Sequence, residues 1–107
     1  MVGLAVRWKR TPAKLVVTVE GEVDTSTVRR LKDSVATARD NGEDLDLVVD
    51  LRRVTFLNSA GLAALVEVAS QCHRAGQELR LVCTTHAVLN PIRLTGLDQV
   101  FTIVDTP

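Results

Sequence analysis

Apolar residues along this 107-residue chain change their spacing from segment to segment, and each spacing predicts a different element of secondary structure. Alternating or uninterrupted apolar runs indicate strands, whereas apolar residues that recur every three or four positions indicate helices. The predicted strands are Arg7 to Lys9, Lys14 to Val19, Leu45 to Asp50, Leu79 to Cys83 and Val100 to Val104. The predicted helices run from Val28 until Asn41 and Gly42 end the pattern, from Ser59 to about Arg74 before Gly76, and from Ala87 to Leu94, where Pro91 must lie in the first turn or kink the helix.

The order of these elements, β-β-α-β-α-β-α-β, predicts the fold class. A turn around Thr11 and Pro12 joins the first two strands into a hairpin, which we expect at an edge of the sheet. Strands that alternate with helices pair in parallel, and right-handed crossovers restrict where the helices lie. The length suffices for one core and is too short for two. We therefore predict a single α/β domain over residues 1–107, with a mainly parallel central sheet and helices packed on it.

The central strand is expected to end in a short connector. The run Leu47 to Val49 is typical of a strand buried on both faces, and Asp50 is expected to mark its end. A connector over residues 51–57 then leads to the second helix, and Phe56 and Leu57 are expected to anchor it to the sheet.

The start of the second helix is the strongest candidate for a functional site. Asn58 and Ser59 have side chains that favour the N-cap of a helix, and capping alone would explain them. Ala60 and Gly61 are expected to leave the backbone around Ser59 uncrowded. At this position free backbone N–H groups and the positive end of the helix dipole converge, beyond the carboxyl end of a central strand. Such a site tolerates a phosphate group, which makes Ser59 a candidate for modification.

A hydrolase is a weaker interpretation of the same residues. The segment around Ser59 half resembles the nucleophile elbow G-x-S-x-G, but Leu57 occupies the position of the first glycine. Neither His73 nor His86 has an evident acidic partner in the expected chain order. We therefore expect no catalytic residues.

Charged residues suggest a second part of the site. The loop from Gly21 to Asp24 leaves a strand beside the serine loop, so Asp24 is expected to approach Ser59. Arg52 and Arg53 lie in the expected connector, where they could position a partner's carboxylate or neutralise a phosphate. The basic residues of the first helix are expected to form a solvated face: Arg29, Arg30, Lys32 and Arg39.

Composition and charge exclude several function classes. No segment reaches the roughly 18 apolar residues of a membrane span, and the opening decapeptide reverses the order of a signal peptide, so we expect a cytoplasmic protein. Thirteen basic and thirteen acidic residues balance, so no overall field favours nucleic acid or an anionic membrane. We expect a protein partner.

The cysteines and histidines predict neither a metal site nor a cofactor. Cys72 and Cys83 are too few for a disulfide framework, and we expect packed, reduced thiols rather than a redox switch. His73 adjoins Cys72, but neighbouring side chains of a helix point apart, and His86 stands alone.

Several sequence blocks together resemble a known family. They are Gly21-Glu22-Val23-Asp24, Val49-Asp50-Leu51, the run from Val54 to Leu62, Gly76, and Leu94-Thr95-Gly96-Leu97 before the last strand. In this order and at this separation they resemble the STAS domain of bacterial anti-sigma factor antagonists, over most of the chain. The resemblance implies that a partner anti-sigma factor, acting as a serine kinase, phosphorylates Ser59, and that a phosphatase later removes the phosphate.

The resemblance also implies a mechanism and a set of contacts. The unphosphorylated domain would bind the anti-sigma factor and so release the sigma factor. The partner-binding residues we expect are Asp24, Arg53, Asn58, Ser59, Ala60 and Gly61. One position departs from the family pattern, because Asn58 replaces the usual aspartate before the serine. The alternative hypothesis is therefore a STAS scaffold or small-ligand sensor that phosphorylation no longer controls.

Overall fold

Five strands and three α-helices alternate along the chain in a computed structural model that describes residues 3–42 and 44–107. The strands are β1 (Leu4–Arg10), β2 (Lys14–Val23), β3 (Asp46–Leu57), β4 (Leu79–Val82) and β5 (Thr102–Val104). The helices are α1 (Val28–Asp40), α2 (Ser59–Arg74) and α3 (His86–Leu94), and one 3₁₀ turn covers Leu97–Gln99. The first two residues of the decapeptide used in the signal-peptide argument, Met1 and Val2, lie outside the described residues.

The strands form one sheet in chain order, β1-β2-β3-β4-β5. β1 pairs with β2 in antiparallel orientation, and the other neighbouring strands pair in parallel. The prediction of an α/β fold with a mainly parallel sheet and an N-terminal edge hairpin is therefore confirmed. In this arrangement the parallel strands β2 and β3 end side by side, immediately before α1 and α2.

The core lies between one face of the sheet and the helices. Leu15, Val17 and Val19, which the alternation placed on one face of β2, are fully buried. They form one cluster with apolar residues of β3, α1 and α2: Leu47, Val49, Leu31, Val35, Ala38, Leu62, Leu65, Val68 and Cys72. α3 lies against β3, where β4 is too short to pair with the end of that strand.

The expected connector over residues 51–57 is wrong, because this segment is the second half of β3. β2 also continues to Val23, and it pairs with β3 as far as Leu57. Two register shifts each insert one extra residue into β3, so that every third residue is buried, namely Leu51, Val54 and Leu57. The spacing rules for strands assume alternation, and bulges break that assumption.

Other element ends also differ from the prediction. β1 extends to both sides of its predicted core, and β2 continues through Gly21, which was expected to end it. Gly21 has a φ of 115°, and a Cβ there would lie 2.0 Å from the Gly3 carbonyl oxygen, so glycine permits this close approach. The last strand begins only at Thr102, after the 3₁₀ turn. Pro91 is the sixth residue of α3, beyond its first turn.

Candidate functional site

The ends of β2 and β3 fix the start of α2. The Asn58 backbone N–H donates to the Val23 carbonyl at 3.2 Å, which ties the two strand ends together. Asn58 has an extended backbone, and its Oδ1 accepts hydrogen bonds from the N–H groups of Ala60 at 3.0 Å and Gly61 at 3.2 Å. Asn58 is therefore the N-cap of α2.

Ser59 is the first helical residue, and its side chain is exposed. Because the Asn58 side chain already occupies two N–H groups of the first turn, fewer donors surround Ser59 than the sequence predicted. The positive end of the helix dipole lies at this position, and no acidic residue in the first turn of α2 offsets it.

Gly61 serves close packing, so the expectation of an uncrowded backbone is wrong. Gly61 is buried, and a Cβ there would lie 2.5 Å from Leu57 Cδ1 and 2.7 Å from Val23 Cγ1. Only a glycine lets the first turn of α2 approach the strand ends this closely. It therefore holds the first turn of α2, and Ser59 with it, close to the strand ends.

Exposed apolar residues lie before and after Ser59 in the chain, and sequence analysis missed them. Ala63 and Val66 follow Ser59 at helical spacing on the exposed side of α2. Phe56, expected to anchor a connector, is 47% exposed, whereas Leu57 is buried as expected. We call Phe56, Ser59, Ala63 and Val66 the serine-side surface. The spacing of Ala63 and Val66 from Ser59 could have revealed part of it, but the exposure of Phe56 depends on the bulges of β3.

Asp24 follows Val23 on the adjacent loop, but its side chain is bound within its own turn. Asp24 Oδ1 accepts hydrogen bonds from Ser26 Oγ at 2.7 Å and from the backbone N–H groups of Ser26 and Thr27. These bonds, above all that from the Ser26 hydroxyl, lower the pKa of the Asp24 carboxyl. Asp24 thus holds a negative charge on the rim where Ser59 lies, without a hydrogen bond to Ser59.

Arg52 and Arg53 both lie in β3, but their side chains have different surroundings. Arg52 donates to the buried Asp50 with an Nη2–Oδ2 distance of 2.7 Å. Its hydrogen bonds lower the pKa of the Asp50 carboxyl against the opposing effect of burial. Arg53 is exposed, pairs in register with Glu20, and lines an open groove. Leu57 follows Arg53 by four positions, about 13 Å along the strand.

The first helix does not carry a simple solvated face. Arg30 Nη1 donates to the Leu4 carbonyl at 2.6 Å, and Lys32 Nζ lies 3.0 Å from Glu67 Oε2 of α2. Arg39 donates hydrogen bonds to Gln71 of α2 and to Gln77 just beyond that helix. Only Arg29 of the four basic residues fits the expectation in full, because it is exposed without an ion pair among the described residues.

A second polar cluster lies at the opposite end of the sheet, where β3 and β4 begin. Gln77 is buried, and its Oε1 accepts from Arg39 Nε at 2.8 Å and from Cys72 Sγ at 3.3 Å. Its Nε2 donates to the Leu45 carbonyl at 2.6 Å. We call Arg39, Cys72 and Gln77 with the Leu45 carbonyl the glutamine cluster. It joins the ends of α1 and α2 to the start of β3.

Both cysteines are buried, as predicted, and neither forms a disulfide. Burial raises the pKa of both thiols, that of Cys83 to about 12 with a further contribution from the Asp50 charge. Within residues 3–42 and 44–107, no group of three His, Cys, Asp or Glu side chains could hold a metal ion. In the same part of the chain, no helix is long and apolar enough to cross a membrane. His73, the second-to-last residue of α2, lies fourteen residues after Ser59, about 21 Å along the helix, so these two residues form no catalytic pair.

The fold and the capped serine define a class of regulatory domain, and comparison with known proteins identifies it. The family model described as the STAS domain matches residues 5–107. The chain therefore belongs to the STAS domain family.

Individual proteins that are similar to this chain include anti-sigma factor antagonists. The chain is 33% identical over 94 residues to the anti-sigma-F factor antagonist RsfB of Mycobacterium tuberculosis (strain ATCC 25618 / H37Rv), covering 85% of this chain and 73% of RsfB. A crystal structure of an anti-sigma factor antagonist from Mycobacterium paratuberculosis superposes with a TM-score of 0.87 at 28% identity, covering 97% of this chain and 87% of that one. SpoIIAA in its unphosphorylated form shares the fold at 18% identity, with a TM-score of 0.76 over 94% of this chain and 88% of that one.

Proposed function

We propose that this STAS domain is an anti-sigma factor antagonist whose binding is switched off by phosphorylation of Ser59. The observation that carries the proposal is an exposed serine at the first position of a capped helix, in a chain that matches named antagonists over most of its length. Its partner is an anti-sigma factor with serine kinase activity, and a phosphatase restores the binding state. The domain itself is not an enzyme, and it acts in the cytoplasm.

The proposed interface is the serine-side surface together with the neighbouring rim. Phe56, Ala63 and Val66 supply apolar area around Ser59. Aromatic side chains at the centre of an interface commonly supply much of the binding free energy. Asp24, Asn58, Ala60 and the more distant Arg53 surround this centre as polar or small neighbours, and Gly61 sets its shape from below.

Charge and hydration explain how phosphate would switch this interface. A phosphoserine carries about −1.5 to −2 charges and must keep its hydration or gain donors. In a partner complex the apolar neighbours Phe56, Ala63 and Val66 supply no donors from their side chains. A phosphate at Ser59 would therefore lose hydration that these apolar side chains do not replace, and the complex would weaken while the fold stayed intact.

The replacement of aspartate by Asn58 is compatible with this mechanism. The amide oxygen of Asn58 makes both capping hydrogen bonds, so the geometry of the serine does not require a carboxylate. The neutral cap also removes a negative charge beside the acceptor hydroxyl, which reduces repulsion of the incoming phosphate.

The test is transfer of labelled phosphate from ATP to the purified protein by candidate anti-sigma kinases. We expect label in the wild type and in Ser70→Ala, and none in Ser59→Ala. Ser70 is the matched control because it is also an exposed serine of α2. Equal label in the wild type and Ser59→Ala would overturn the assignment of Ser59.

Calorimetry tests the switch itself. We expect Ser59→Asp to weaken binding of the anti-sigma factor, and Ser70→Asp to leave it nearly unchanged, while both variants keep the melting temperature of the wild type. Tight binding with no phosphate transfer would instead support the alternative, a scaffold that phosphorylation does not control.

A further inference from the structure

The outer edge of β1 has no partner strand in the described sheet, because β1 ends the strand order. Hydrogen bonds at the two ends of the hairpin show which backbone groups point outward. Glu22 N–H donates to the Gly3 carbonyl, and Thr11 N–H donates to the Lys14 carbonyl. The register between these pairs has no shift.

In an antiparallel pair, residues that bond to the partner strand alternate with residues whose N–H and C=O groups point away from it. Since Gly3 and Thr11 bond to β2, the even-numbered residues of β1 point outward. The Leu4 carbonyl confirms this alternation, because it accepts its hydrogen bond from Arg30 instead of from β2. Val6 and Trp8 therefore present N–H and C=O groups along the free edge.

The side chains of β1 divide in the same alternating way. Val6 and Trp8 pair with Val19 and Val17, whose side chains belong to the core face of the sheet. Trp8 nevertheless remains 37% exposed. An added strand would meet apolar side chains on that face.

The opposite face of this edge is basic. Arg7 and Lys9 pair in register with Thr18 and Val16 on that face, and both are exposed. Neither forms an ion pair with any described residue. The first acidic residue of the chain is Glu20, so positive charge is concentrated in β1 and the first half of β2 although the whole chain is neutral.

We propose that β1 binds an extended acidic segment of another protein as an additional strand of the sheet. The segment would alternate acidic residues, facing Arg7 and Lys9, with apolar residues beside Val6 and Trp8. Backbone hydrogen bonds to Val6 and Trp8 would give affinity, and the alternating side chains would give specificity.

A second copy of this chain fits the edge less well. Pairing of β1 with β1 brings two basic strands together, and like charges directly opposite each other destabilise a sheet. The alternating acidic segment of this chain, Asp44 to Asp50, lies mostly within β3 in the middle of the sheet.

Fluorescence of Trp8, the only tryptophan of the chain, tests the proposal directly. The probe is a capped seven-residue peptide of alternating glutamate and valine. We expect a saturable blue shift with the full-length protein, together with slower hydrogen exchange of the Val6 and Trp8 amides. A peptide of the same composition in two blocks, and one N-methylated at alternate backbone nitrogens, should bind much more weakly.

Charge variants identify the basic face. Lys9→Glu should weaken binding about fivefold or more, since it replaces an exposed attraction by a repulsion. Arg93→Glu is the matched control, because Arg93 is an exposed basic residue of α3, which packs against β3 in the middle of the sheet. It should retain the affinity of the wild type, and circular dichroism should confirm that both variants fold.

Three results would overturn the proposal. Equal binding of the alternating and block peptides would show charge attraction without strand addition. No response up to about 1 mM peptide would show that the basic residues only protect the edge from aggregation. Protection of the edge amides in a dimer, detected by sedimentation without peptide, would make a second copy the occupant. The proposal does not rest on the function of Ser59, so Ser59→Asp should bind the peptide as the wild type does.

Discussion

The serine-side surface and the glutamine cluster lie at opposite ends of the sheet. Polar side chains are hydrogen-bonded within the cluster, whereas the serine of the surface is exposed. At the glutamine cluster, the side chain of Gln77 is buried and bonded to Arg39, Cys72 and the Leu45 carbonyl. At the serine-side surface, Asn58 completes the helix cap and the neighbouring Ser59 remains exposed. Polar groups thus join elements at one end, and remain available to a partner at the other.

The difference follows from how each end is built. At the first end, the glutamine cluster holds the helix ends and the loop before β4 against the start of β3. Buried polar atoms of this cluster require hydrogen-bond partners within the protein. The second end needs only a capped helix whose first turn is held close to the sheet by Gly61. Substitutions at the first end should therefore change stability, and substitutions at the second should mainly change binding.

The largest expected effect on stability is that of Gln77→Leu. Leucine removes the acceptor of Arg39 Nε and the donor to the Leu45 carbonyl, and leaves those groups without their partner. We expect a loss of about 3 kcal/mol in the free energy of unfolding, measured by urea denaturation. The amide resonances of Ser59 and Ala60 should keep their positions in the folded variant. A shift of these resonances in Gln77→Leu would show that the two ends of the sheet are coupled, which contradicts the separation of stability from binding.

Gly61→Ala is expected to have the next largest effect. The added methyl group must displace Leu57 Cδ1 and Val23 Cγ1, which costs about 1–3 kcal/mol and is partly offset by the better helix propensity of alanine. Thermal unfolding measures the change, and Ala63→Gly at an exposed position of α2 measures the propensity contribution alone. A stabilised Gly61→Ala protein would contradict the close packing described here.

Substitutions of Asn58 test stability and phosphorylation together, because Asn58 both caps α2 and adjoins the proposed phosphorylation site. Asn58→Ala should cost about 1 kcal/mol of stability through loss of the cap. Asn58→Asp should instead add about 0.5 kcal/mol, because a carboxylate interacts favourably with the helix dipole. Aspartate adds repulsion of the incoming phosphate but restores the usual family residue, and we expect the gain in kinase recognition to outweigh the repulsion, so that the aspartate variant is phosphorylated faster. Identical rates for Asn58→Asp and the wild type would show that the kinase does not recognise this position.

The smallest effect is a pH dependence from Asp50. The hydrogen bonds from Arg52 lower the folded-state pKa of this carboxyl below its ordinary value near 3.8. The ion pair therefore adds about 0.3 kcal/mol of stability above that value, because Arg52 is exposed, and the contribution is lost as the pH falls through the folded-state pKa. Denaturation of the wild type and Asp50→Asn between pH 2 and 7 measures it, with Asp33→Asn as an exposed control. A constant difference across that range would show that Asp50 contributes through packing alone.

The helices could be predicted almost completely from the sequence, because their signals are local. Caps and apolar spacing placed α2 over Ser59 to Arg74, as observed, and set α1 from Val28 with a stop at Asn41 and Gly42. The mainly parallel pairing of the strands followed from their alternation with helices. Ser59 was found at a helix start for the same reason, since capping residues lie within a few positions of the turn they complete.

The sequence alone determined the helices, the central part of each strand and the position of the candidate serine, because propensity, capping and spacing act over a few residues. Only the tertiary structure decided that residues 51–57 extend β3 and that Phe56 is exposed, since bulges arise from pairing with β2. The tertiary structure also brought Arg39 to Gln77, thirty-eight positions later in the chain, and left Val6 and Trp8 on a free edge. These features depend on contacts between distant segments, which no local pattern of residues encodes.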